Sequence, residues 1–281
     1  MSGAWTPTLD AFRAGAISPP IALARLALSG DPPDAVRLRG MAADEPALAE
    51  LATLAAAQET RLTALARLAA TGMDPAGDDL IAATATLFDR LAREAPEAGV
   101  AFYSLGDPAL LAAATDELVG VVRGWASVEG RRVLDLGCGI GRASIALAPW
   151  AESVIGVDVS PGMVEQARAR GEGVPNVEFA TVDGRDLAGV ADGSVDLVLA
   201  ADSFPYLVRA GVVDGQMAEI ARVLASGGDL LVFNWSYRGD PAADAAEAGR
   251  LAAAHGFELT RAGEHPFAIW DAAGFQLKRR A

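Results

Sequence analysis

The chain has 281 residues, 37 of them acidic and 23 basic, for a formal net charge of −14. That balance argues against a nucleic-acid partner, because such binding draws most of its affinity from Lys and Arg neutralising phosphates. One Cys and two His residues exclude an internal disulfide framework and an ordinary Cys/His zinc site, so no metal is expected.

Taken in chain order, the first hundred or so residues read as helices. They lack the basic start and apolar core of a secretion signal, and Arg25 interrupts the only nearby apolar stretch, so a cytoplasmic protein without a membrane partner is expected. Ser18-Pro19 opens a short helix closed by Ser29-Gly30, and Asp44-Glu45-Pro46 opens a long one closed by Thr71-Gly72. Asp78 to Glu94 is a third, and Asp107-Pro108 opens a fourth that runs to about Ala126. Leu48, Leu51, Leu54, Leu62, Leu65 and Leu68 mark one apolar face with a gap near Gln58. That face either packs within the chain or forms a homodimer seam. With Gly99 to Gly106 as the junction, residues 1–106 are expected to form a helical cap and residues 107–281 a second domain.

Val133-Leu134-Asp135-Leu136-Gly137-Cys138-Gly139-Ile140-Gly141-Arg142 then reads as a buried strand breaking into a glycine turn, with a helix from Ala143 to Ala148 behind it. A dinucleotide fingerprint needs G-x-G-x-x-G, but the sixth position from Gly137 is Arg142, so the spacing is G-x-G-x-G. Asp135 would repel a pyrophosphate and welcome a cation, which favours a ligand carrying an ammonium or sulfonium group. Cys138 reads as a small buried spacer.

A second strand, Val154 to Asp158, ends in an acid 19 residues after Gly139, where nucleotide-binding folds place the carboxylate that accepts from both ribose hydroxyls. Ser160-Pro161-Gly162-Met163-Val164-Glu165 carries an N-cap and a proline at the first helical position. A third strand, Val177 to Val182, runs into Asp183-Gly184-Arg185-Asp186, and a fourth spans Val195 to Ala201. Met217 to Leu224 reads as a helix stopped by Ser226-Gly227-Gly228, followed by a fifth strand, Asp229 to Trp235. Ala242 to Ala254 is an alanine-rich helix, with Phe257 to Ala262 and Gly274 to Lys278 as the last strands. Alone, Asp158 or Asp183 reads equally well as a solvated strand end; it is the ordered set of features that points to a ligand.

On these residues the chain resembles the class I S-adenosylmethionine (SAM) dependent methyltransferases, whose first motif is a hydrophobic strand followed by D/E-x-G-x-G-x-G. The resemblance covers roughly residues 108 to 281. It implies an α/β doubly wound, seven-stranded, mostly parallel sheet with an antiparallel last strand, here preceded by an N-terminal all-helical cap. It implies SAM as cofactor, S-adenosylhomocysteine (SAH) as product and no metal. It also implies that Asp135, Gly137, Cys138, Gly139 and Arg142 form the cofactor turn. Asp158 and Val159 then meet the ribose, Met163 lies near the adenine, and Asp183 reaches the adenine amino group with the Gly184 and Arg185 backbone beside it. Ala200 and Ala201 would meet the amino acid portion through their carbonyls, and Tyr103 would fold over the methionine.

The acceptor belongs outside the carboxyl ends of the strands. Asp202, Phe204 and Tyr206 follow strand four, Asn234, Trp235, Tyr237 and Arg238 follow strand five, and the last hairpin turn offers His265, Phe267 and Trp270. In a chain that is 6% aromatic this clustering suggests a planar or partly apolar small-molecule acceptor, although each ring singly could equally cover the sheet edge. Methyl transfer is an in-line displacement at an activated carbon, so alignment in a dry pocket does much of the catalysis. A base is needed only where the acceptor loses a proton; His265 is the first candidate, with Asp202 and Tyr206 behind it. The family's D/N-P-P-Y/F motif is absent, since Asp202-Ser203-Phe204-Pro205-Tyr206 is longer by one residue and lacks the paired prolines. That argues against nucleobase or glutamine N-methylation. The expectation is a SAM-dependent methyltransferase with a small-molecule acceptor, its methylated atom unassigned. The alternatives are a SAM-binding regulatory or scaffold protein without turnover, a protein side-chain methyltransferase, and a nicotinamide-dependent oxidoreductase, against which the missing glycine counts.

Overall fold

Leucines at helical spacing build the first part of the chain in a computed structural model that describes residues 5–29, 33–72 and 75–281. Helices α1 (Thr6–Arg13), α2 (Pro19–Leu28), α3 (Ala35–Asp44), α4 (Ala49–Ala57), α5 (Glu59–Ala70), α6 (Leu80–Glu94), α7 (Pro96–Val100) and α8 (Pro108–Trp125) follow in order. The polar punctuation works as expected: Ser18 caps α2, and Asp107 accepts from the Ala109 and Leu110 N–H groups at the start of α8. Gly30 lies outside the described residues. The long helix expected after Pro46 is a 3-10 turn (Pro46–Leu48) followed by α4 and α5, broken at Gln58. Gln58 is buried and donates to the Asp107 carboxylate at 2.9 Å while accepting from Arg61 at 2.8 Å. A buried amide must be satisfied, and these partners take the apolar face's place at that turn.

By their contacts, described residues within 5–72, 94–114 and 267–271 form one compact unit, and residues 75–93, 115–266 and 272–281 form another. This grouping does not follow a single boundary at residue 106. In the first unit α2 packs against α4 and α5, with Trp5, Leu23, Leu26, Leu38 and Leu51 wholly buried. Segment 267–271 is held there by the Ser18 hydroxyl, which donates to the Ile269 carbonyl at 2.6 Å, and by an Arg25–Asp271 ion pair at 2.6 Å.

The second unit carries one sheet. Its strands are β1 (Arg132–Leu136), β2 (Ser153–Asp158), β3 (Val177–Thr181), β4 (Val195–Ala201), β5 (Leu224–Phe233), β6 (Phe257–Glu264) and β7 (Gly274–Arg279). They lie in the order β3-β2-β1-β4-β5-β7-β6, and β7 runs antiparallel to both its neighbours while the others are parallel. This is the doubly wound architecture expected from the sequence. The helices that follow the strands are α9 (Arg142–Leu147), α10 (Pro161–Arg170), α11 (Phe204–Ala210), α12 (Val213–Val223) and α13 (Pro241–Ala254). Val133, Leu134, Leu197, Val198 and Leu199 are buried in the central strands, as a sheet covered on both faces requires.

Two local differences from expectation have clear causes. Ser226-Gly227-Gly228 does not separate helix from strand: α12 ends at Val223 and β5 starts at Leu224, with a bulge between its pairing to Val195 and to Leu197. The glycines fit the bulge, since a Cβ at Gly228 would lie 2.9 Å from the Ala225 carbonyl and 3.0 Å from that of Asp196. Helix α11, unread in the sequence, is one short, mostly apolar stretch with Pro205 in its first turn and a left-handed Gly211 closing it. Among the described residues no helix is long and apolar enough to cross a membrane.

Candidate cofactor and acceptor site

The site's framework is backbone. Between β1 and α9 the Gly137 and Cys138 N–H groups both donate to the Val157 carbonyl, at 2.8 and 3.0 Å, locking the turn to the end of β2. Gly137, Gly139 and Gly141 all have positive φ, at 78°, 53° and 78°. Two of these glycines also clear neighbouring residues. A Cβ at Gly137 would lie 2.5 Å from the Ser203 Cβ, and one at Gly141 would lie 2.7 Å from the Phe179 ring. Burial, then the charges of Asp158 and Asp135, push the Cys138 thiol well up, so it stays protonated as the small spacer expected.

Two buried carboxylates flank the turn. Asp158 accepts from the Gly139 N–H at 2.9 Å on one oxygen and from the Ser160 N–H at 2.9 Å on the other. Burial raises its pKa against these hydrogen bonds. Asp135 accepts from the Ser144 hydroxyl at 2.6 Å, and burial pushes its carboxyl up to about 6, with the Ser144 bond and the Arg142 charge pulling the other way. The Asp158 charge adds to the rise at Asp135, and the Asp89 charge adds to the rise at Asp158, so a cation placed here would favour both carboxylates. Arg142 donates to the Thr115 hydroxyl at 3.2 Å.

The neighbouring loops fit around the same edge. Met163 is wholly buried under the start of α10, and Val159 is half-buried. Asp183 is exposed and held below the usual carboxylate range by the Arg185 and Asp186 N–H groups. Gly184 is buried: a Cβ there would lie 2.7 Å from Val159 Cγ1 and 2.8 Å from Ile81 Cγ2 of α6. The Arg185 guanidinium pairs with Asp79 at 2.8 Å. Ala200 is buried and Ala201 half-buried at the end of β4. Sequence reasoning missed Asp79, Ile81 and Asp89, because nothing local to α6 distinguishes them from an ordinary amphipathic helix.

The carboxyl ends of β4 and β5 hold a polar knot. Asp202 and Asn234 are non-glycine residues with left-handed backbones, at φ 68° and 65°. The Asn234 amide donates to the Asp202 carboxylate at 2.8 Å, and the Asp202 N–H donates to the Phe233 carbonyl at 2.9 Å. The Tyr237 residue is 60% exposed, but its hydroxyl lies against Asp202 and Tyr206; its packed surroundings and then the Asp202 charge hold the phenol well above its ordinary value. Tyr206 meets Tyr237 and Phe88 edge-on, with ring centres 5.9 and 5.3 Å away. The Ser203 hydroxyl next to Asp202 is buried with no hydrogen-bond partner among the described residues, facing Gly137.

The remaining candidates have the following surroundings. Phe204 and Trp235, expected at the acceptor edge, are wholly buried: their rings pack on each other 5.1 Å apart, and the Trp235 N–H donates to Glu247 at 3.0 Å. Neither offers a surface to an acceptor. Arg238 spends its guanidinium on Asp244 and Glu247 of α13, at 2.6 and 2.7 Å. His265 is exposed just past β6. Tyr103, Phe267 and Trp270 belong to the first unit, where Tyr103 stacks on Trp270 at 5.5 Å and Phe267 meets the same ring at 5.1 Å.

A glycine turn bonded to a strand-end acid, on a seven-stranded sheet whose last strand is antiparallel, is the architecture of the class I SAM-dependent methyltransferase fold. Residues 133–228, about a third of the chain, match the family model described as a methyltransferase domain. The chain is 37% identical over 131 residues to a demethylmenaquinone methyltransferase of Clavibacter sepedonicus, which covers 45% of this chain and 51% of the relative. It is 35% identical over 136 residues to a 23S rRNA (uracil(1939)-C(5))-methyltransferase of Alkalilimnicola ehrlichii, covering 48% of this chain and 28% of the relative. The chain therefore spans about half the length of these relatives or less. The SAM-bound crystal structure of magnesium protoporphyrin IX methyltransferase from Synechocystis superposes with a TM-score of 0.54 at 22% identity, covering 73% of this chain and 98% of that one, and shares the fold.

The residues present suit SAM. A carboxylate has about four acceptor positions, so Asp158 keeps capacity for ribose hydroxyls beyond its bonds to Gly139 and Ser160. The paired buried acids suit a cationic ligand, and the orphaned Ser203 hydroxyl over the turn calls for a polar partner. Among the described residues no group of three or more His, Cys, Asp or Glu could hold a metal.

Proposed function

We propose that the protein is a SAM-dependent methyltransferase acting on a planar or partly apolar small-molecule acceptor. The observation that carries this reading is the pair of buried acids on the glycine turn, with Asp158 tied to the Gly139 N–H at 2.9 Å. The relative named for demethylmenaquinone supports an acceptor of this kind, and the net charge of −14 argues against the nucleic acid named for the other.

Bound at the turn, SAM would supply a methyl group on a sulfonium centre. Asp158 would take the ribose hydroxyls, Asp135 would balance the cation, and Asp183 with the Gly184 and Arg185 backbone would meet the adenine. The Ala200 and Ala201 carbonyls would meet the amino acid end. On the acceptor side Asp202 is the favoured base. Its carboxylate is oriented by Asn234 at 2.8 Å, and the Tyr237 phenol, held neutral, can donate to an acceptor oxygen or nitrogen. His265 is a weaker candidate because it is exposed.

Calorimetric titration of the full chain with SAH tests the cofactor half. Asp158→Ala is expected to weaken SAH binding roughly a hundredfold, because a charge-assisted bidentate contact is lost. Unchanged affinity in the variant, or no binding to the parent chain, overturns the assignment.

A further inference from the structure

The geometry points to Asp89 of α6 as a positioning residue for the cofactor ribose, acting on Asp158 through Ser160 and the first turn of α10. The inference rests on the SAM reading above and adds to it a residue from outside the family-model match.

Helix α10 begins with an unusual division of labour. Pro161 at its first position has no N–H to satisfy. The Gly162 N–H donates to Asp89 Oδ1 at 2.9 Å, and the Met163 N–H donates to the Ser160 hydroxyl at 3.0 Å. That hydroxyl in turn donates to the same Asp89 oxygen at 2.6 Å. An N-cap hydroxyl left to itself can rotate; here its proton is fixed on Asp89 and its lone pair on Met163. The wholly buried Ser160 thereby holds its backbone N–H on Asp158 Oδ1 at 2.9 Å. Asp89 also places negative charge at the positive end of α10.

Gly162 makes the approach of α6 feasible. A Cβ there would lie 3.1 Å from Asp89 Oδ1 and 3.2 Å from the Ala92 Cβ, so a larger residue would press α6 away. The same helix reaches the adenine-side loop, where Ile81 and Val159 flank Gly184. α6 thus braces both loops expected to meet the nucleoside, and Asp89 is the polar link in that brace.

The test is calorimetric binding of SAH and of its 2′-deoxyribose analogue to the full chain, read as the ratio of the two affinities. Asp89→Ala is expected to weaken SAH about tenfold and to collapse the ratio, while Asp89→Asn, which keeps an acceptor oxygen, restores most of it. A merely structural Asp89 would lower the melting temperature and weaken both ligands alike. A folded Asp89→Ala chain that keeps the parent's ratio overturns the proposal. Where Asp89→Ala does not fold, Ser160→Ala carries the test: the same collapse supports the link and an unchanged ratio refutes it. A parent chain that does not bind SAH overturns the cofactor reading itself, whereas a parent that discriminates regardless of Asp89 overturns only the positioning role.

Discussion

The cofactor edge and the acceptor edge lie at the carboxyl ends of the same sheet, yet they are built from different materials. The cofactor edge is made of backbone: glycines at positive φ, N–H groups and two buried acids supported from below. The proposed acceptor edge is made of side chains that follow two separate strands, Asp202 and Tyr206 after β4 and Asn234 and Tyr237 after β5, grouped together. A ligand common to a family can be held by the backbone, which varies little, while an acceptor peculiar to one protein needs groups that can be exchanged.

The sharpest break of this comparison is Asp202→Asn. Asn tolerates the left-handed backbone, so the variant removes charge and little else. Turnover should fall about a hundredfold while SAH affinity stays within about twofold, measured by initial rates and calorimetry on the same preparation. Equal losses in both would mean that the two edges are not separable.

The next largest effect is expected from pH at the cofactor edge. The Asp135 carboxyl titrates at about 6 in the folded chain against an ordinary 3.8, so between these values the folded state holds the extra proton. Ligand-free stability therefore falls as pH rises from about 4 to about 6, by up to roughly 3 kcal/mol from this group. Asp135→Asn should flatten that slope in melting curves. A cationic cofactor favours the carboxylate, so SAM affinity should rise about tenfold across the same window in the parent chain and not in the variant. An identical slope in both chains would place the titration elsewhere.

The smallest expected effect sharpens the boundary of the acceptor edge. Trp235→Phe removes the bond to Glu247 and leaves a small cavity beside Phe204 and Phe275, costing about 1–2 kcal/mol of stability in denaturant unfolding. The acceptor KM should not change, because the ring is 1% exposed. A selective rise in KM would return Trp235 to the acceptor site.

Sequence by itself determined the order of the strands from residue 132 onward and of every helix among them except α11, together with the glycine turn and the strand-end acids. These are legible because a positive φ, a cap or a buried strand each demands particular residue types within a few positions. The helices that were missed, α1, α3, α7 and α11, are short segments, and the break between α4 and α5 turns on one buried amide whose partner lies 49 residues away. Only the tertiary structure decided that Phe204 and Trp235 are core, that Asp202 and Asn234 are joined, and that Asp89 supports Ser160 across 71 residues of chain. Local chemistry prints its requirements in the sequence, whereas a contact between distant segments leaves no residue type that either segment would not carry anyway.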